Sequence, residues 1–216
     1  MDWLAPDARS RLLIPGREEL LKRLAVLPPV EQLLGLDDLE KLNASAKQPL
    51  RDAAVLLLIV NHAEGPTVVF TQRTAHLQDH AGQISFPGGR THAEDLTPER
   101  TALREAEEEI GLARERVTIL GALPDYDMPS GFRISPVIGW IEPPFALELD
   151  PVEVASAFEV PLSYLLDPSN HQYRRYEFNG RVRDYLAMPY EGRYIWGATA
   201  GILQRLSQQL AGSPSE

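Results

Sequence analysis

Residues 88–112 read GGRTHAEDLTPERTALREAEEEIGL, and the segment carries helix signals at both ends. Thr97 is an N-cap type. Pro98 follows at the first helical position, where a missing N–H costs nothing. Gly111 comes after the last apolar-periodic residue and can end the helix in a left-handed conformation. Ala102, Leu103, Ala106 and Ile110 make an apolar side suited to docking on a sheet. Glu105, Glu107, Glu108 and Glu109 place four carboxylates in five positions. Glu105 and Glu109 are one turn apart and Glu108 lies at i+3, so these three share a face. Like charges at that spacing repel by roughly 0.2–0.5 kcal/mol per pair. A hard divalent cation turns that repulsion into attraction, because oxygen ligands are what it prefers. Arg104 reaches the i+4 carboxylate of Glu108. Taken alone, such a run is a solvated acidic face. The preceding Phe86-Pro87-Gly88-Gly89 ends a strand and lets backbone approach a ligand closely, which points to a site.

Outward from the helix, strands dominate. Ala53–Val60 (AAVLLLIV) is a continuous apolar run of strand length, suited to burial on both faces. Asn61–Pro66 is turn-rich, and Thr67–Arg73 is a second strand. Val117–Leu123, Ile134–Ile141 and Ala157–Val160 read as further strands. Tyr173–Phe178, Asn179-Gly180 and Arg181–Ala187 form a hairpin signal, since Asn-Gly supplies the positive φ angles of a type I′ turn. Gly197–Leu210 is helical, with Ile202, Leu203, Leu206 and Leu210 as its stripe. Residues 17–42 carry helical periodicity through Leu20, Leu21 and Leu24, interrupted at Pro28-Pro29 and resumed at Leu33, Leu34 and Leu36. The expected organisation is an N-terminal helical extension over 1–48, a main domain over 49–211 and a frayed tail over 212–216. The extension suits packing on the main domain or a homodimer contact. The fold class is α/β (α+β), a mixed sheet with helices.

Composition narrows the chemistry. The chain has 216 residues, 21 Lys+Arg against 31 Asp+Glu, and a formal charge of −10. Sequence-independent nucleic-acid binding is disfavoured, because that affinity comes from cations on the protein. An acidic protein that handles phosphates needs metal ions to offset repulsion. With no cysteine, a thiolate zinc site, a disulfide framework and a cysteine nucleophile are excluded. No apolar run approaches ~18 residues, so no membrane span is expected. MDWLAPDARSR lacks a signal pattern, and a cytoplasmic location is expected.

The helix and its loop resemble the Nudix signature G-x5-E-x7-R-E-U-x-E-E-x-G-U, where U is aliphatic. Arg104, Glu105, Glu108, Glu109 and Gly111 match it, with Ala106 and Leu112 at U positions. Counting from Gly89, Asp95 stands where the family has its first Glu, with Glu94 as an alternative occupant. The approach to the helix is one residue longer than the pattern. Upstream, Phe70-Thr71-Gln72-Arg73, Leu77, His80, Gly82-Gln83 and Phe86-Pro87-Gly88-Gly89 are similar to the motif of coenzyme A diphosphatases within that family. Thr74 replaces its Ser and Gln78 its Arg. Leu123–Phe132, Phe158–Leu162 and Ile195–Ala200 also look like that subfamily.

The resemblance implies a Nudix-type α/β/α sandwich with a mixed central sheet. It implies hydrolysis of coenzyme A at its diphosphate to 3′,5′-ADP and 4′-phosphopantetheine, with Mg²⁺ or Mn²⁺ as cofactor. By the family pattern Glu105, Glu108 and Glu109 are metal ligands or water-positioning groups, and the Gly88 carbonyl adds a metal ligand. Glu105 is the first choice of general base, and Glu153, in the acidic loop Asp150–Glu153, the second. Arg104 is an orienter. Arg73, His80 and Gln83 are substrate-side candidates. Trp196 and Tyr194 suit core packing better than stacking on an adenine. The alternatives are a hydrolase of NADH or ADP-ribose, a Nudix-like binding module without turnover, and an interaction protein using the acidic face.

Overall fold

A computed structural model describes residues 16–25, 49–76, 81–128, 130–178 and 181–211. Its elements run α1 (Arg17–Ala25), β1 (Arg51–Val60), β2 (Thr67–Arg73), β3 (Ile84–Ser85), β4 (Gly88–Arg90), α2 (Pro98–Ile110), β5 (Thr118–Ala122), β6 (Tyr126–Met128) and β7 (Phe132–Ile141). Then come β8 (Val154–Pro161), α3 (Leu162–Leu166), β9 (Gln172–Phe178), β10 (Arg181–Tyr190), β11 (Arg193–Trp196) and α4 (Gly197–Ala211).

The central sheet has the strand path β3-β2-β1-β7-β5, with β4 on β1, β6 on β7 and β8 on β2. It is mixed. β1 and β7 are parallel over their full length, from Arg51↔Phe132 to Val60↔Ile141. The other pairs are antiparallel. A second sheet, β11-β10-β9, is a meander. Its Phe178↔Arg181 register suits the expected hairpin, although Asn179 and Gly180 lie outside the described residues.

β1 shows why its apolar run has no polar alternation. Ala54, Leu56, Leu58 and Val60 pack with Ala102, Ala106 and Ile110 of α2. Leu57 and Ile59 enter a second core with Leu162 of α3, Met188 of β10 and the Ile202, Leu203, Leu206 stripe of α4. A strand covered on both faces has no position left for water. The layers are therefore α2, the mixed sheet, and the α3, α4 and small-sheet layer, which is the expected sandwich.

β3, β4, β6 and β11 are two to four residues long. Such strands are too short for periodicity to register. β8 is longer than the expected 157–160, because its pairing with β2 runs back to Val154. α1 buries Leu20 and Leu24, and its Arg23 Nη1 donates to the Leu210 carbonyl at 2.6 Å. The expected break at Pro28-Pro29, the helical stretch at Leu33–Leu36 and the 212–216 tail lie outside the described residues.

Candidate active site

α2 is held at both ends as its sequence requires. Thr97 Oγ1 accepts from the Arg100 N–H at 3.4 Å. Gly111 takes the left-handed conformation at φ 65°. A Cβ there would lie 2.8 Å from the Glu148 Cβ, so glycine is required twice over. The segment after β7 then closes the helix end. The Glu148 and Asp150 N–H groups donate to the Ile110 and Glu109 carbonyls at 2.9 and 3.0 Å. These bonds satisfy carbonyls that the helix cannot.

The carboxylates of α2 meet the Gly88-Gly89 turn. At Gly88 an added Cβ would stand 2.4 Å from the Ala54 carbonyl oxygen. At Gly89 it would stand 2.5 Å from the Glu105 carboxyl carbon. The two glycines therefore let β4 lie against β1 on one side and against Glu105 on the other. Glu109 is 4% exposed and its Oε2 accepts the Gly88 N–H at 3.2 Å. Burial pushes its pKa up to about 8; the Gly88 bond and Arg73 pull it down, and Glu105 and Glu153 push it up. Burial also raises the pKa of Glu105, against the lowering effect of Arg104, with Glu108 and Glu153 adding to the rise. Glu108 points outward, its side chain 57% exposed. The shared face expected from spacing is thus divided by packing: Glu105 and Glu109 go inward and Glu108 stays at the rim.

Arg104 gathers this set. Its guanidinium lies 2.8 Å from Asp95 Oδ2 and 2.9 Å from both Glu105 Oε1 and Glu108 Oε2. Nη2 also donates to the Arg90 carbonyl at 2.9 Å. Asp95, rather than the exposed Glu94, meets Arg104. It accepts from Arg104, the His92 N–H and Thr101 Oγ1. The Arg104 bond holds its pKa well down, to about 2, against the opposing effect of burial. The 91–97 loop carries this acidic group to Arg104.

A second arginine comes from β2. The β2–β8 register shifts between Gln72 and Arg73, and such irregularities re-aim side chains. Arg73 Nη1 lies 3.6 Å from Glu109 Oε1, and Nη2 lies 3.6 Å from Glu153 Oε2. Its Nε is buried and, among the described residues, has no hydrogen-bond partner. Glu153 reaches the site because the Thr74 N–H donates to its carbonyl at 3.0 Å. The Arg73 N–H donates to the Gln83 carbonyl at 2.9 Å, which sets Gln83 beside it. His80 lies outside the described residues.

Among the described residues, no three Asp, Glu or His side chains converge on one point as an assembled metal site. The donor chemistry nevertheless suits a hard dication. Glu105 and Glu153 disfavour the charge of Glu109, and Glu108 and Glu153 disfavour that of Glu105. Two guanidinium groups, Arg104 and Arg73, now offset that charge. An ion of two positive charges with oxygen preference fits the same need.

One expectation is corrected. Tyr194 and Trp196 are not core residues: they are 40% and 38% exposed. With Gln72, Gly82, Gln83 and Arg193 they line a cavity of about 440 Å³. Along β11 they alternate with the buried Ile195, so they share the open face of that strand. Periodicity over four residues could not reveal that.

Known proteins resemble this chain in sequence and in fold. The NUDIX domain family model matches residues 49–175. The chain is 42% identical over 161 residues to the uncharacterized Nudix hydrolase NudL of Yersinia enterocolitica, covering 73% of this chain and 80% of that protein. It is 40% identical over 160 residues to the NudL protein of Photorhabdus laumondii, covering 74% and 85%. Among solved structures, the Nudix hydrolase RenU of M. smegmatis superposes with a TM-score of 0.53 at 22% identity, over 78% of this chain and 91% of that one.

Proposed function

Because this chain belongs to the Nudix hydrolases, enzymes that cleave phosphorus anhydrides with a divalent metal, we propose that its substrate is coenzyme A or a derivative. The diphosphate would be cut to give 3′,5′-ADP and 4′-phosphopantetheine. The observation that carries the reading is the pairing of the two glycines with two inward carboxylates. Gly88 N–H holds Glu109, and Gly89 leaves room for Glu105. Support for coenzyme A comes from the resemblance of the Phe70–Gly89 stretch to the diphosphatase motif.

Glu105, Glu108, Glu109 and the Gly88 carbonyl would hold Mg²⁺ or Mn²⁺. When bound, such an ion neutralises diphosphate oxygens and acidifies water. Glu105 is the proposed general base, at the inner wall and desolvated, and Glu153 is the second candidate. Arg104 is a positioning residue: its contacts to Asp95, Glu105 and Glu108 fix where the carboxylates stand. Arg73 presents a planar fork to the diphosphate. Gln83 and His80 are proposed on the substrate side. Gln83 lines the cavity that Tyr194 and Trp196 open, and that cavity is wide enough for one arm of the substrate. No covalent nucleophile is involved.

The test is direct. Purified protein is incubated with coenzyme A and Mg²⁺ or Mn²⁺, with EDTA as control, and the products are identified by mass. Metal-dependent release of 3′,5′-ADP and 4′-phosphopantetheine is expected. Equal or faster turnover of NADH or ADP-ribose would overturn the substrate assignment.

A further inference from the structure

In an acidic chain of net charge −10, two arginines beside the glycine turn share one aromatic ring. The guanidinium carbon of Arg51 lies 4.1 Å from the Phe132 ring centroid, and that of Arg90 lies 5.4 Å from it. Strand register places them together. Ala53 of β1 pairs with Arg90 of β4 and with Ile134 of β7, and Arg51 pairs with Phe132. Side chains alternate along a strand, so Arg51, Arg90 and Phe132 share one face of three adjacent strands. Gly89 points to the other face, against Glu105.

The backbone is pinned on both sides. The Arg51 N–H donates to the Gly131 carbonyl at 2.9 Å, and the Arg90 carbonyl accepts from Arg104. Among the described residues no salt bridge engages Arg51 or Arg90, whereas Arg73, Arg104, Arg114, Arg133 and Arg175 each meet a carboxylate. Ring stacking orients a guanidinium plane but leaves its N–H donors unspent. Both guanidinium carbons lie within 5.4 Å of one ring centroid, and neither meets a carboxylate among the described residues, a placement suited to an anion with several acceptor oxygens. A phosphate monoester is such an anion, carrying nearly two charges at neutral pH, and the arginine fork matches its geometry.

We propose that Arg51 and Arg90, braced on Phe132, form a subsite for a terminal phosphate monoester on the nucleoside half of the substrate. In the coenzyme A reading, on which this inference rests, that group is the 3′-phosphate. Arg90 follows the glycine turn directly, so the subsite adjoins that turn from the face of the sheet opposite Glu105. The subsite would let the enzyme tell a 3′-phosphorylated nucleotide from its dephosphorylated counterpart.

The test measures binding of 3′,5′-ADP and 5′-AMP by calorimetry, which requires no turnover. Wild type is expected to bind 3′,5′-ADP at least about tenfold more tightly than 5′-AMP, as a charge-assisted bond to a phosphate implies. In Arg51→Ala and Arg90→Ala that preference falls below about twofold, while 5′-AMP binding is retained. Circular dichroism checks the fold. If an alanine variant unfolds, Arg51→Gln or Arg90→Gln replaces it with the same expectation. A wild type without the preference, or variants that lose both ligands equally, would overturn the subsite. Preference retained without coenzyme A hydrolysis leaves the subsite standing and removes the coenzyme A reading. Hydrolysis without preference does the reverse.

Discussion

Replacing Gly89 by alanine sets a methyl group where the Glu105 carboxylate lies, 2.5 Å from its carboxyl carbon. Gly89 has no positive φ, so the backbone tolerates the change and the side chain must move. A displacement of about 1 Å at a reacting group can reduce rate ~100-fold. Gly89→Ala is therefore expected to lower kcat by about that factor with little change in Tm. A variant of wild-type rate would mean that Glu105 does not act from this position. Glu109→Gln leaves the most buried of the three carboxylates unable to ionise, and Glu108→Gln does the same to the most exposed. Each is expected to reduce kcat by at least ~100-fold while circular dichroism stays unchanged, because both are asked to stabilise charge in the transition state. Wild-type rates in both would remove the site. The residue types were legible from spacing alone. Their division into inward and outward was not, because Glu108 and Glu109 are adjacent in sequence and only the docking of α2 on the β1 and β4 backbone separates them.

At the scale of elements, the approach loop and α2 are joined by the Asp95–Arg104 pair. Asp95 is nearly buried, its side chain 7% exposed. Its pKa falls from an ordinary 3.8 to about 2, so folding favours the ionised form. The stabilisation is complete above the unfolded value near 4 and is lost as pH falls through about 2. Allowing for solvent at the rim, it amounts to about 1–2 kcal/mol. Asp95→Asn is expected to lower unfolding free energy by that amount at pH 7 and by less at pH 3, measured by urea denaturation. A gap that does not shrink between these pH values would show that the charge is not what stabilises the loop. The helix itself was readable from Thr97, Pro98 and Gly111, since caps are local chemistry. β3 and β4 were not, because strands of two or three residues exist only by virtue of the neighbours that pair with them.

For the whole molecule, the site brings together β2, the glycine turn, α2 and the loop before β8. A ligand that binds this assembly stabilises the folded chain. Mn²⁺ at about 100 times its dissociation constant contributes about 2.7 kcal/mol, roughly 5–10 °C in Tm for a chain of this length. The expected thermal shift is abolished by EDTA and reduced in Glu109→Gln. An unchanged Tm in excess metal would argue against the ligand set. No described helix is long and apolar enough to cross a membrane. Sequence alone determined the helix and its ends, the doubly buried β1, the glycine turn and the acidic residues, because caps, apolar runs and turn chemistry act over a few neighbouring positions. Tertiary structure decided which carboxylate is buried, that Glu153 meets Arg73, that Tyr194 and Trp196 stay open, and that Arg51, Arg90 and Phe132 stand together. Each of these outcomes depends on partners far along the chain, which sheet pairing and layer packing bring in.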